Sequence, residues 1–274
     1  MTSATQSPVS GTRPEGAATE QEARQYVRRM FGEIAAHYDL LNHLLSGNLD
    51  RLWRRRTAAT FDHILRLPHA RVLDLCCGTG DLALAMKRRG AHTGSSGAAV
   101  FGSDFAHGML TRAAEKSRGT SAGSTNQIAW LEADALNLPF APGTFDLITM
   151  GWGFRNLTNY EIGLREFFRL LRPGGEVGIL ECAEPRGPLF GLLFRFYFRN
   201  VVPMVGGAIS GSNEAYAYLP ASVQKFPAPD ALARMMSDAG FVDVGYQLWT
   251  GGSIALHKGR RPSQGDRSEV RERN

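Results

Sequence analysis

The chain has 274 residues, of which 43% are hydrophobic, and its formal net charge is +5 at pH 7. The apolar fraction is ordinary for a globular protein, so a substantial core can form, and the modest positive charge does not require a nucleic-acid partner. The three cysteines, Cys76, Cys77 and Cys182, form no CxxC pair, which argues against a disulfide framework and favours a reducing compartment. The histidines never stand at HxH or HExxH spacing, so we expect no metal site.

The two ends of the chain differ in composition from its middle. Residues 1–19 are rich in Ser, Thr, Gly and Pro and lack the basic and apolar parts of a secretory signal, so we expect a disordered tail on a cytoplasmic protein. Residues 20–65 have apolar positions at helical spacing, which predicts a helical cap. We expect one domain over residues 20–258, and a flexible tail over residues 259–274, which are polar and charged.

From residue 71 onward, short apolar runs alternate with helical stretches. This pattern predicts βαβ units and a mainly parallel sheet. The glycine pair Gly251-Gly252 between the last two apolar runs predicts a hairpin, and hence an antiparallel pair at one edge. A helix over residues 160–171 is expected to end at the breaker cluster 172–175. The predicted strands are 71–75, 100–103, 128–132, 145–150, 176–181, 242–248 and 253–257, and further helices are predicted over 80–88 and 109–116.

The first predicted strand ends at Asp74 and leads into a turn that contains Gly78, Thr79 and Gly80. A tight glycine turn between a strand and a helix lets a ligand approach the backbone, and the amides at the helix start are free to bind it. The third glycine of a dinucleotide-binding GxGxxG loop is missing, and there is no GKS or GKT sequence. The turn therefore fits the DxGxGxG-type loop of methyltransferases better than a pyrophosphate loop.

Two more carboxylates are expected at the same edge of the sheet. Asp104 ends the second strand, where a carboxylate can accept hydrogen bonds from both hydroxyls of a ribose. Asp134 follows the third strand and can accept from an adenine amino group, while the small Ala135 permits close approach. The alternative is that both aspartates are ordinary turn residues.

Taken together, these segments resemble the C-methyltransferases that complete menaquinone and ubiquinone. The resemblance runs from about Val27 to Lys258. The segments Tyr-Asp-Leu-Leu-Asn at 38–42 and Gly-Phe-Arg-Asn at 153–156 are much more specific than the glycine loop. The matching segments are 31–42, 45–54, 74–81, 153–158, 171–177 and 218–222.

The resemblance implies an α/β fold, namely that of a Rossmann-like class I S-adenosylmethionine-dependent methyltransferase with a mainly parallel sheet and an antiparallel edge hairpin. It also implies S-adenosylmethionine as the cofactor. The chain departs from the family pattern at Gly151, where relatives often have Ser, and at Cys76 and Cys77, where smaller residues are usual. The implied cofactor-binding residues are Asp74, Gly78, Thr79, Gly80, Asp104, Asp134, Ala135 and Gly151.

The implied reaction is C-methylation of a reduced prenylated quinone. The context of residues 218–222 and of Phe226-Pro227 favours demethylmenaquinol, with the benzoquinol of the ubiquinone pathway as the alternative. Arg155 and Asn156, just after the fourth strand, are the expected catalytic residues, with Arg155 stabilising a developing phenolate. Glu181 is a weaker candidate for the base. The alternative for Arg155 is an internal ion pair.

The segment 189–209 is strongly apolar but is interrupted by Arg195, Arg199, Pro203 and glycines, so it is unsuited to span a bilayer. Two arginines four residues apart share a helix face, which is typical of a helix that lies in a membrane interface. Such a helix predicts peripheral contact with the inner face of the cell membrane. A buried lid or a contact within a homo-oligomer explains the same pattern equally well.

Three other functions stay open at this point. One is a methyltransferase of the same fold with another acceptor, such as a sterol or a small phenol. The second is a dinucleotide-dependent oxidoreductase, which the missing third glycine disfavours. The third is a regulator that binds the cofactor without turning it over.

Overall fold

Within residues 11–14, 16–91, 98–120, 127–185, 187–210, 213–263 and 265–266, which the computed structural model describes, seven strands form a single sheet. They are β1 (Arg71–Leu75), β2 (Ala99–Asp104), β3 (Ala129–Glu132), β4 (Phe145–Gly151), β5 (Leu171–Cys182), β6 (Val242–Trp249) and β7 (Ile254–Arg260). Their order is β3-β2-β1-β4-β5-β7-β6. The first five are parallel, and β7 is antiparallel to both of its neighbours. This confirms the predicted α/β fold with an antiparallel edge hairpin.

Helices cover the sheet and extend beyond it. Those before β1 form the cap that residues 20–65 predicted. The described helices are α1 (Glu20–Ile34), α2 (Tyr38–Leu45), α3 (Leu49–Thr60), α4 (Asp62–Leu65), α5 (Asp81–Ala91), α6 (His107–Thr120), α7 (Tyr160–Leu170), α8 (Pro188–Phe196), α9 (Val202–Ser210), α10 (Asn213–Lys225) and α11 (Pro229–Asp238). A short π-helical turn, Tyr197–Val201, joins α8 to α9.

The core lies on both faces of the central strands. Alternate residues of β1 point to opposite faces, as strand geometry requires. Leu73 packs in a cluster with Phe167 of α7, whereas Val72 packs in a second cluster with Phe61 and Met86. Because both faces of the sheet are covered, the central strands have nearly continuous apolar sequences rather than an alternation of apolar and polar residues.

The hairpin turn contains the glycine pair that predicted it. Thr250–Gly252 form a short 3-10 segment between β6 and β7 that is kinked at Gly251, which has a φ of 64°. A side chain is strained in this left-handed conformation, so glycine suits the position. A Cβ on Gly251 would also lie 2.7 Å from the Phe190 ring.

The ordered part of the chain reaches further at both ends than we expected. Thr12, placed in the disordered tail, is buried, and its amide donates to the Leu157 carbonyl at 2.8 Å. Residues 1–10 and 15 lie outside the described residues. At the other end, β7 continues to Arg260, and the Arg261 amide donates to the Gly175 carbonyl at 2.8 Å. Composition missed both extensions because backbone hydrogen bonds to distant segments hold them. Residues 264 and 267–274 are not described.

Over the described part of the chain, the helices are too short or too polar to cross a lipid bilayer.

Candidate active site

The loop after β1 is shaped by three left-handed residues. Cys76, Gly78 and Gly80 have φ values of 48°, 54° and 84°. A Cβ on Gly80 would lie 2.5 Å from the Trp130 ring, so this glycine is required by packing rather than by a ligand. Its positive φ puts Cys76 in the left-handed region of the Ramachandran map, where non-glycine residues are uncommon and strained. The turn therefore holds a cysteine in a backbone conformation that favours glycine.

A cleft of about 670 Å³, which we call the loop cavity, lies beside this turn and is partly open to solvent. The structure brings several predicted site residues to its wall. These are Gly78, Asp104, Asp134, Ala135, Gly151 and Asn156. All of them lie at or just after the carboxyl ends of strands, which is where ligands bind in open α/β sheets.

Asp104 is the most constrained carboxylate of the loop cavity. Its Oδ2 accepts from the Gly78 amide at 2.8 Å, and its Oδ1 accepts from the Ala106 amide at 2.9 Å. Burial raises the pKa of Asp104, while these backbone donors partly offset the effect. Each oxygen keeps a lone pair, so the carboxylate can still accept from a ligand hydroxyl.

Asp134 faces a partner that the sequence did not reveal. Its Oδ1 accepts from the Leu136 amide at 2.9 Å, and its Oδ2 lies 2.9 Å from Nη1 of Arg24. Arg24 belongs to α1 and also lines the loop cavity. The first helix of the cap therefore closes one side of this cavity, which no spacing in the sequence indicated.

Two predicted cofactor residues lie behind the loop rather than in the cavity wall. Asp74 is completely buried, and its Oδ1 accepts from the Thr149 hydroxyl at 2.8 Å. Thr79 is also buried, and its hydroxyl bonds Asp39 and, at 2.9 Å, Lys116. Like Gly80, both shape or brace the turn, and these three residues are absent from the wall of the loop cavity. Their contact with a ligand stays a prediction. The side chains that end a strand alternate in direction, and spacing alone does not show which one faces the ligand.

A second cleft of about 1010 Å³, the apolar cavity, adjoins the first. Phe31, Tyr38 and Trp152 line both cavities and form their common wall. The cap and the segment 188–210 supply most of the remaining wall. Its apolar side chains include Met30, Ile34, Leu45, Trp53, Phe194, Tyr197, Phe198, Val202, Leu219 and Ile254.

Arg155 lines the apolar cavity and is held by Glu181. Its Nη1 donates to Oε2 of Glu181 at 2.8 Å, while its backbone amide donates to Oε1 at 3.0 Å. Burial disfavours the charged guanidinium, but Glu181 outweighs this effect and the pKa of Arg155 is raised. The internal ion pair that we kept as an alternative is therefore present, on a residue that also faces the cavity.

Glu181 cannot serve as a free base in this arrangement. The side chain is completely buried, and both of its carboxylate oxygens accept hydrogen bonds from Arg155. Its Oε2 also accepts from the Cys182 amide at 3.2 Å. The prediction of Glu181 as a base is corrected to a role in fixing Arg155.

Asn156 faces the loop cavity rather than the apolar one. Its Nδ2 donates to the Trp152 carbonyl at 3.3 Å, and its Oδ1 accepts from the Tyr218 hydroxyl at 3.0 Å. Tyr218 belongs to α10 and lines the apolar cavity. Asn156 thus links the two cavities at the end of β4.

A polar network ties the cap to the helix after the glycine loop. Arg54 of α3 bonds Asp50, and its Nη1 also lies 3.3 Å from Asp81 of α5. His43 bonds Asp50 at 2.7 Å, so His43, Asp50 and Asp81 place three ligand atoms within 4.8 Å of one another. The guanidinium of Arg54 bonds both carboxylates, so a cation already occupies this cluster and nothing in it calls for a metal ion.

The apolar segment 188–210 has two different sides. Its inner side chains, Phe194, Tyr197, Phe198 and Val202, line the apolar cavity. On its outer side, Leu189 is 80% exposed and Met204 is 68% exposed. Leu192, Leu193 and Phe196 are exposed as well. The segment is therefore a lid over the cavity and, at the same time, an exposed apolar surface.

Comparison with known proteins gives one family. The model of the ubiE/COQ5 methyltransferase family matches residues 18–261. The chain is 49% identical to a demethylmenaquinone methyltransferase of Thermus thermophilus, over 85% of this chain and the whole of the relative. It is 44% identical to a demethylmenaquinone methyltransferase of Deinococcus radiodurans, over 81% of this chain and 87% of the relative.

Solved structures match at the level of the fold. A SAM-dependent methyltransferase from Aquifex aeolicus superimposes with a TM-score of 0.52 at 16% identity, over 74% of this chain and 88% of the other.

Proposed function

Because the chain belongs to the ubiE/COQ5 methyltransferase family, we propose that it transfers a methyl group from S-adenosylmethionine to a ring carbon of demethylmenaquinol. The common wall of Phe31, Tyr38 and Trp152 carries the proposal, since it separates a cavity at the strand ends that holds the carboxylates of Asp104 and Asp134 from a larger, apolar one. A polar donor and an apolar acceptor can then occupy adjoining sites. The benzoquinol of the ubiquinone pathway is the alternative acceptor.

The loop cavity fits S-adenosylmethionine, which supplies an already activated methyl group. Asp104 would hold the ribose hydroxyls, because it lines the cavity and both of its oxygens retain lone pairs. Asp134 and Ala135 would hold the adenine, and the backbones of Gly78 and Gly151 would lie against the remainder. These groups are fixed by backbone hydrogen bonds, so little reorganisation is needed when the ligand binds.

The protein's task in the apolar cavity is alignment and charge stabilisation. A hydroquinol becomes a carbon nucleophile when one hydroxyl loses its proton to solvent and the ring gains electron density. The ring carbon would then bond to the methyl carbon as the sulfonium C–S bond breaks, so that S-adenosylhomocysteine leaves. The proton on that ring carbon would pass to solvent and restore the aromatic ring. Arg155, fixed by Glu181, stabilises the phenolate that forms. It acts as a cation and not as the base, because arginine stays protonated and Glu181 favours its charged form further.

The apolar segment fits an acceptor that carries a long prenyl chain. Such a chain can leave the cavity beneath Phe194 and Phe198 and reach the exposed outer side of α8. An exposed apolar surface of this kind marks an interaction site. We therefore place the outer side of α8 and α9 on the membrane surface, where a prenylated quinol is dissolved.

The experiment that tests this function is a methylation assay with reduced acceptors, run under anaerobic conditions. A prenylated naphthohydroquinone and the matching benzohydroquinone are offered side by side with labelled S-adenosylmethionine. We expect label on the ring carbon of the naphthohydroquinone. Label on neither acceptor, together with thermal stabilisation by NAD but not by S-adenosylmethionine, would favour the oxidoreductase reading instead.

A further inference from the structure

A second buried arginine faces the apolar cavity. Arg54 is 7% exposed, and it lines this cavity together with Arg155. The two residues belong to different parts of the fold: Arg54 lies on helix α3 of the cap, and Arg155 lies in the turn that follows β4 of the sheet. Two buried cations beside one apolar space are costly unless each has a compensating partner.

The partners of Arg54 leave part of its guanidinium free for a ligand. Among the described residues, Asp50 and Asp81 both bond the same nitrogen, Nη1. The guanidinium also lies 5.1 Å from the centre of the Trp152 ring, which belongs to the common wall of the two cavities. Arginine carries five N–H donors in a planar fork, so among the described residues the contacts of Nη1 with Asp50 and Asp81 leave the donors of Nε and Nη2 available to a ligand.

Both arginines line the apolar cavity together with Tyr38. Tyr38 lines both cavities, and burial raises the pKa of its phenol. The positive charges of Arg155 and Arg54 each lower that pKa in part. Arg54 and Arg155 thus border one cavity together with Tyr38 and Trp152 of the common wall, and Arg54 lies against Trp152 itself.

A hydroquinol has two oxygens at opposite positions of one ring, and only one of them lies next to the reacting carbon. Resting on the proposed function, we propose that Arg54 donates a hydrogen bond to the second oxygen, the one remote from the reacting carbon, while Arg155 serves the first. The second oxygen changes little in charge during methyl transfer. Arg54 is therefore a binding residue that selects dihydroxy over monohydroxy acceptors, and its loss acts on KM rather than on kcat.

The test pairs two ligands with two protein variants. The ligands are a prenylated naphthohydroquinone and the matching naphthol that keeps only the hydroxyl beside the reacting carbon. Their dissociation constants are measured without a methyl donor, under anaerobic conditions, for wild type, Arg54→Gln and Arg54→Lys. Arg55→Gln is the matched control, because Arg55 is the exposed neighbour of Arg54 on the same helix.

We expect Arg54→Gln to weaken binding of the hydroquinone about ten-fold and to leave binding of the naphthol unchanged, as for one charge-assisted hydrogen bond. Arg54→Lys keeps the charge between Asp50 and Asp81 but loses the planar fork, so it should fold normally and bind the hydroquinone at an intermediate level. Equal losses for both ligands in these variants, or no loss for either, would overturn the inference and leave Arg54 as a tie between α3 and α5. Wild type that binds and methylates neither ligand contradicts the proposed function itself.

Discussion

Nη1 of Arg155 lies 2.8 Å from Oε2 of Glu181, and both side chains are buried, with Arg155 at the wall of the apolar cavity. Arg155→Ala should therefore do two things. Turnover should fall on the order of a hundred-fold, as when an anion-stabilising donor is removed. Stability should also fall by about 3–5 kcal/mol, because Glu181 is left buried without its partner.

Two further variants separate these effects. Arg155→Lys keeps a cation beside Glu181 and should be partly competent. Arg155→Met combined with Glu181→Gln removes both charges and should restore stability without restoring turnover. Single-turnover methylation, S-adenosylmethionine affinity and thermal melting are measured on all variants. Normal turnover in the stable double variant would exclude Arg155 from catalysis.

Asp104 should control affinity for S-adenosylmethionine. Asp104→Ala removes two ribose acceptors, each contributing roughly 1.5 kcal/mol as a charge-assisted hydrogen bond, so affinity should fall ten-fold or more by calorimetry. Asp243→Ala is the control, since Asp243 is an exposed carboxylate on β6 that pairs with Arg260. An unchanged affinity for Asp104→Ala would remove this residue from the site.

The outer side of the apolar segment should bind anionic vesicles. Arg195 and Arg199 are exposed there, and Leu192 and Leu193 supply apolar contact. Charge reversal of both arginines to Glu should weaken co-sedimentation, and the difference should shrink in high salt. Leu192→Ser with Leu193→Ser should weaken it at every salt concentration, whereas Leu67→Ser, an exposed leucine outside the segment, should have no effect.

A wild-type protein that never co-sediments would contradict the membrane proposal. The exposed side would then cover a second copy of the chain, and light scattering would report a dimer that dissociates in the Leu192→Ser, Leu193→Ser variant.

Asp74 should make the protein less stable as pH rises. Burial raises the pKa of Asp74 to about 7, although hydrogen bonds from Thr149 and the Ala83 backbone oppose the shift. Between its unfolded pKa of about 4 and the folded value, the folded state binds more protons, so stability falls with rising pH across this window. Above pH 7 the contribution is constant.

The matched variant is Asp74→Asn, which resembles the protonated side chain and does not titrate. Urea unfolding of both proteins is measured at pH 5 and pH 8. The variant should gain stability relative to wild type on going from pH 5 to pH 8. A difference that does not change with pH would show that Asp74 is ionised in the folded protein throughout.

Local patterns predicted the elements that local physics determines. β1 spans 71–75 as expected, and the helix before the breaker cluster ends at Leu170. β5, however, begins at Leu171 rather than at 176. Leu171 pairs with Phe145 of β4 and Glu176 pairs with Leu147, so the register shifts and residues 172–175 form an irregular stretch within β5. Such pairing joins segments that are distant in sequence, so local β-propensity does not predict it.

The sequence by itself determined the alternating fold, the glycine loop and the strand-end positions of Asp104, Asp134 and Arg155, because periodicity and turn chemistry are properties of neighbouring residues. Only the tertiary structure decided which groups face a cavity and which are already paired. In the folded protein, Asp74 lies behind the loop, where it bonds Thr149, and Glu181 is paired with Arg155. Arg24 and Arg54 of the cap line the walls of the two cavities. These outcomes depend on side-chain direction and on charge pairs formed across layers of the fold, where burial makes an unpartnered charge too costly to persist.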